Sequence, residues 1–162
     1  MSLISVPNDH MIDTLPDAFA IITGGKTFPN ISGIVKFYSM SYQGLVVYAE
    51  LFHLPLHSTA NSPSFYGFHI HENGDCSNNF ANTGSHYNPD EQLHPNHVGD
   101  LPPLMSMDGY ALMYVYAQQL NLEDIIGRSV IVHSKPEDFT TQPSGNSGDK
   151  IACGVIQPSL IP

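Results

Sequence analysis

The stretch Tyr66-Gly67-Phe68-His69-Ile70-His71-Glu72 decides how this chain is read. It is rich in apolar, strand-forming residues, and a strand sends successive side chains to opposite faces. His69 and His71 are two apart, so both imidazoles project from the same face. Two neutral imidazoles converging on a rigid strand suit copper or zinc. The spacing alone leaves a plainer alternative open, a pair of surface histidines on an edge strand.

The next thirty residues of the chain weigh against that alternative. His86, His94, His97 and Asp100 lie in a run broken by Gly84, Pro89, Pro95 and Gly99. Glycine and proline at that density exclude a regular helix or strand, so these residues sit on a loop. Three histidines and a carboxylate are the four N/O donors that a closed tetrahedral zinc site needs. An ion would also explain how a long irregular loop is held in one shape. His133 ends the apolar run Val130-Ile131-Val132, a strand-end position like that of His69 and His71. His10, His53 and His57 fall outside the pattern and read as solvent-facing.

The chain has 162 residues, enough for one domain with a sizeable core. Residues 1–17 read as an extended arm and 18–162 as the domain. Strands are expected at 18–23, 31–40, 44–51, 65–71, 104–107, 110–116, 125–133 and 151–156. The third shows the period of two, with Leu45, Val47, Ala49 and Leu51 facing one way. Asp108-Gly109 is a strong hairpin signal between the fifth and sixth. Eight short strands without a convincing helix predict an all-β sandwich or barrel. Two long loops follow the fourth and seventh strands, and the second spans 134–150.

Fifteen acids against five bases give a net charge of −10, which argues against nucleic acid and against anionic membranes. No apolar run reaches the length of about 18 residues that suggests a membrane helix. Met1 to Asp17 lacks the basic and apolar regions of a secretory signal, so a cytoplasmic setting is expected, the alternative being an exported form whose signal has been removed. Arg128, Lys135 and Lys150 flank His133 and are expected to give a local positive field despite the overall charge. Cys76 and Cys153 fit neither a CxxC redox motif nor a thiolate zinc site. By themselves they are two free buried thiols or one bridge.

Six blocks in order resemble the copper/zinc superoxide dismutase family. They are Gly67 to Glu72, Gly74-Asp75-Cys76, Gly84 to Pro89, His97 to Leu101, Ile126 to His133, and Gly145 to Gly148 with Ala152 to Ile156. The resemblance covers roughly residues 18–156. It implies a Greek-key β-sandwich, copper on His69, His71, His86 and His133, and zinc on His86, His94, His97 and Asp100. His86 would bridge the two metals, and Cys76–Cys153 would form a disulfide, unusual for a cytosolic chain. The implied substrate is superoxide, with copper cycling between Cu(II) and Cu(I), and a copper chaperone is an implied partner.

Two positions depart from the family pattern. Where the family has an aspartate linking the metal sites, this chain has Glu137, with Asp138 beside it as an alternative. Where the family has an arginine at the mouth of the copper channel, this chain has Lys150, which lacks the planar guanidinium fork. Asp149 next to it is expected to weaken its steering of an anion. His86 and Lys150 are the expected catalytic residues.

The expected function is therefore superoxide dismutation. Its rival is a non-enzymatic or weakly active metal-binding homologue, and a zinc hydrolase is a weaker third because four protein ligands would close the zinc site. Gln157-Pro158 replaces the small apolar residues of the eukaryotic dimer contact, so a monomer or a different dimer is expected.

Overall fold

A computed structural model describes residues 14–57 and 62–159. Most of the expected N-terminal arm lies outside the described residues. Nine strands run β1 (Ala18–Gly24), β2 (Ser32–Ser39), β3 (Leu45–Phe52), β4 (Ser64–His71), β5 (Asp100–Met107), β6 (Tyr110–Ala117), β7 (Ser129–His133), β8 (Lys150–Val155) and β9 (Gln157–Pro158). Their order is β2-β3-β6-β5-β4-β7-β8-β1, all antiparallel, and β1–β2 pairing closes an eight-stranded barrel. The two-residue β9 lies beside the start of β1. Closure leaves the eight-stranded sheet no free edge.

Inward positions fill the barrel: Ala20 and Ile22 of β1, Val47 and Leu51 of β3, Phe68 and Ile70 of β4, Val130 and Val132 of β7. The fourth, fifth and seventh strands set the position of the site. Tyr66 pairs with Leu104 and Phe68 with Leu101, so Gly67 faces two prolines, Pro102 and Pro103, across a bulge. Proline has no N–H to give a ladder, and a bulge needs none there. This is why β5 starts at Asp100 rather than at the expected 104. The irregularity concealed four strand residues.

The seventh strand is shorter than expected. Leu122–Ile125 forms one helical turn, α1, whose cap Asn121 accepts from Glu123 N at 3.3 Å. Ile125 is buried from that turn rather than from a strand. A helix of one turn has no periodicity to display in the sequence. A second helical segment, Asn78–Thr83, is kinked at Asn79 and Phe80.

Candidate metal centre

Because Phe68 and Ile70 face into the barrel, His69 and His71 face out of its wall. On β7, Val132 faces in, which turns Ile131 and His133 outward beside them. The outward imidazoles are nevertheless buried, because the 72–99 and 134–149 loops fold over them. Backbone bonds pin the first loop to β4: Tyr87 N donates to Ile70 O and Ile70 N to Gly99 O, both at 2.8 Å. A bridge between His71 and His86 brings His86 alongside the strand.

Two groups of side chains converge here, His69, His71, His86 and His133, and His86, His94, His97 and Asp100. Within each group the candidate donor atoms lie within 4.8 Å of one another, and every residue is buried. His86 belongs to both. The structure thus brings together all seven residues expected to hold metals. His53 and His57 are exposed and outside the groups, and His10 lies outside the described residues.

The tautomers are set by what each ring touches. His71 Nδ1 donates to Gly84 O at 3.0 Å and His133 Nδ1 to Gly148 O at 3.3 Å, which leaves both Nε2 atoms unprotonated. Those two Nε2 atoms face each other at 3.2 Å. Two lone pairs at that distance repel unless a cation or proton lies between them. His69 Nε2 is engaged by Glu137, leaving Nδ1 buried and without a partner, as is His86 Nε2. In the second group the Nδ1 atoms of His86, His94 and His97 lie 2.8, 3.0 and 3.1 Å from Asp100 carboxylate oxygens. Four tetrahedral donors about 2 Å from a metal stand about 3.3 Å apart, so these distances to Asp100 are close to those of a four-coordinate metal site.

Glu137 lies between the groups: its Oε2 is 2.5 Å from His69 Nε2 and 3.6 Å from His94 Nε2. Asp138 instead points to solvent and accepts from the backbone N–H groups of Thr140 and Thr141. Two glycines allow the loop this close. A Cβ on Gly145, whose φ is +64°, would meet His94 Nε2 at 2.5 Å. A Cβ on Gly67 would meet Ser147 Cβ at 2.7 Å.

Burial dominates the electrostatics. It lowers the pKa of His71 to about 2 and that of His133 to about 4, with neighbouring imidazoles acting in the same direction. Burial likewise lowers those of His69 and His94. Neutral imidazole is the form that ligates metal. Burial, with Asp100 and Asp138 nearby, pushes Glu137 up to about 7.

A cleft of about 390 Å³ leads to His71, His86 and His133 and is also lined by Glu72 and Lys150. Lys150 is no loose surface lysine. Its Nζ donates to Gly84 O at 2.7 Å, Thr83 Oγ1 at 2.8 Å and Phe80 O at 3.3 Å. An ammonium has three protons, so these acceptors can occupy all of them. Gly84 O also receives the His71 proton, so the lysine and a histidine of the first group share one carbonyl.

The field at the cleft differs from the expected one. Asp149 is exposed and lines a second hollow, with Thr27, Phe28, Asn79 and Lys150 itself. Lys150 lines both hollows, whereas Asp149 does not line the cleft that leads to His71. The acid that does face the cleft is Glu72, whose Oε2 accepts from Ser85 N at 2.8 Å. Neither Arg128 nor Lys135 lines the cleft. Arg128 braces the loop, donating to Glu72 O at 2.8 Å and lying 3.7 Å over the Tyr87 ring. Glu72 was visible beside His71, but a charge next to a ligand carries no sign of which cleft it faces.

Cys76 and Cys153 form a disulfide with Cα atoms 5.9 Å apart. It packs with Phe80 and Ile131 beneath the metal loop. The bridge thus anchors the turn that supplies the acceptors of Lys150.

Comparison with known proteins agrees with this arrangement. The family model of copper/zinc superoxide dismutase (SODC) matches residues 31–156. The chain is 30% identical over 158 residues to the copper chaperone for superoxide dismutase of Homo sapiens, covering 90% of this chain and 54% of that protein. It is 36% identical over 111 residues to superoxide dismutase [Cu-Zn] 3 of Arabidopsis thaliana, covering 59% of this chain and 68% of that one. It therefore spans about half the length of the human chaperone. The crystal structure of the clock protein EA4 superposes with a TM-score of 0.75 at 34% identity, covering 90% of this chain and 96% of that chain. On the match over 31–156, with two histidine groups on a closed antiparallel barrel, the chain belongs to the copper/zinc superoxide dismutase family.

Proposed function

We propose that the protein is a superoxide dismutase with copper held by His69, His71, His86 and His133 and zinc by His86, His94, His97 and Asp100. The observation that carries the reading is the pair of donor groups sharing His86, with unprotonated nitrogens turned inward. Imidazole nitrogens suit copper, and three nitrogens with a carboxylate suit zinc. Bound copper supplies the one-electron couple for oxidising one superoxide and reducing the next, and bound zinc supplies order without redox chemistry. Two superoxide ions and two protons give one dioxygen and one hydrogen peroxide.

The chain's own residues do the rest. Lys150 supplies a fixed positive charge at the cleft, while its hydrogen bonds keep the 78–84 turn against His71. His86 Nε2 is the atom placed to hold a proton when it is not a ligand. Glu137 holds the Nε2–H of His69 so that Nδ1 faces the copper group.

A second reading, a metal-holding homologue of low turnover, draws on two observations. Lys150 spends its protons on the protein, and Glu72 offsets its charge at the cleft. Similarity to the human chaperone points the same way. Metal content and superoxide consumption measured on one preparation separate the readings. Bound copper and zinc with catalytic consumption supports the dismutase, and bound metals without turnover supports the homologue.

A further inference from the structure

Strand β6 reads Tyr110-Ala-Leu-Met-Tyr-Val-Tyr-Ala117, without a charged residue on either face. Its inward residues pack in the barrel. Its outward residues Tyr110, Leu112, Tyr114 and Tyr116, with Phe52 of β3 and Met105 of β5, are each between 40% and 56% exposed. A strand uncharged on both faces is the pattern of a strand covered on both faces, yet the outer residues of this one remain about half exposed, met from outside the sheet by the Tyr42 ring edge-on to Tyr116.

We propose that this β3–β6–β5 face is the contact between two copies of the chain. Six large side chains about half exposed present roughly 600 Å². Adjoining backbone and the stems of Lys36 and Glu50 bring this toward the ~800 Å² that each partner gives to a standard interface. The charge pattern favours a second copy. Each chain carries −10, so two copies repel over most of their surfaces. The outward positions of β2, β3 and β6 carry one base and one acid, and both are already partnered. Lys36 lies 5.3 Å over the Tyr48 ring, and Glu50 accepts from Tyr48 and Tyr110 hydroxyls at 2.8 and 2.9 Å. A twisted sheet face meets a copy of itself in aligned packing, and a two-fold axis sets each patch on its own counterpart. The barrel wall beside Gln157-Pro158 carries Ile21, 54% exposed, but among the described residues no comparable row of large exposed side chains.

The test is sedimentation velocity on the whole chain between about 1 and 100 µM, the range in which an interface of this size associates. Wild type should pass to twice the 17.7 kDa mass. Leu112→Glu sets like charges across the axis and should weaken association at least about 100-fold, with circular dichroism unchanged because the side chain is exposed. Leu112→Lys should do the same, which removes any effect peculiar to added acid. Hydrogen exchange in 110–117 should slow as wild-type concentration rises. A monomer throughout the range would overturn the proposal. So would a dimer that survives both substitutions, including one seated elsewhere on the barrel or a face that takes only a different protein.

Discussion

Glu137 Oε2 lies 2.5 Å from His69 Nε2, and the same oxygen reaches His94, so one carboxylate touches both donor groups. The family's aspartate is shorter by a methylene, and the buried approach of the 134–149 loop accommodates the longer side chain. The raised pKa of Glu137 belongs to the metal-free cluster, where burial and two carboxylates act on it without a compensating cation.

Replacing that carboxylate should loosen both metals together. Groups that orient metal-bound histidines typically contribute 10- to 100-fold in affinity. Glu137→Ala should weaken copper and zinc retention by about that factor in competition with a chelator. Asp138→Ala should leave both unchanged, because Asp138 caps the 140–141 turn instead. Loss of only one metal would contradict the bridging position.

Lys150 should act on both structure and rate. Lys150→Met removes a partly buried ammonium from three acceptors and should cost about 1–3 kcal/mol in urea unfolding. Lys150→Arg keeps the charge and adds donors that can face the cleft. It should raise superoxide consumption at low ionic strength, with salt shrinking the gain. Glu72→Gln should raise the rate more than Asp149→Ser, since Glu72 lines the cleft with Lys150 and Asp149 lines only the second hollow on which Lys150 borders.

Strand periodicity made the barrel legible and put His69 and His71 on one face, while the four loop donors His86, His94, His97 and Asp100 marked a metal site. The two complete groups sharing His86 came from the family resemblance. The proline bulge, the one-turn helix and the burial of Lys150 were not legible. The bulge and the lysine each depend on a partner distant in sequence: Gly67 for Pro102 and Pro103, and Thr83 and Gly84 for Lys150.

Metal-free protein should weaken in acid. Burial lowers His69, His71, His94 and His133 in the folded state, so the unfolded chain binds protons first as pH falls below about 6.5. The histidine contribution is then complete above that pH and declines as pH falls through about 4 for His133 and on toward about 2 for His71, by about 1.4 kcal/mol per pH unit for each proton of difference. Glu137 acts oppositely, since its raised pKa gives a contribution lost as pH rises from 4.5 through about 7. Four histidines against one carboxyl make the net slope positive. Urea midpoints at several pH values, with and without chelator, measure it, and a flat metal-free profile would contradict the assigned burial.

The disulfide should be a major source of stability. Closing a 77-residue separation is worth about 4.5 kcal/mol in the chain-entropy model. Cys76→Ser with Cys153→Ser should lower stability by an amount of that order and loosen the 78–84 turn, seen as faster hydrogen exchange there. Unreduced, denatured protein should show no free thiol.

The central claim is that the two histidine groups form one redox site, and copper, zinc and superoxide consumption measured on the same metal-reconstituted protein test it most directly. The account predicts about one copper and one zinc per chain and catalytic superoxide consumption, with His133→Ala losing copper and activity but keeping zinc. Full loading with both metals and no catalytic consumption, or activity surviving in His133→Ala, would contradict it.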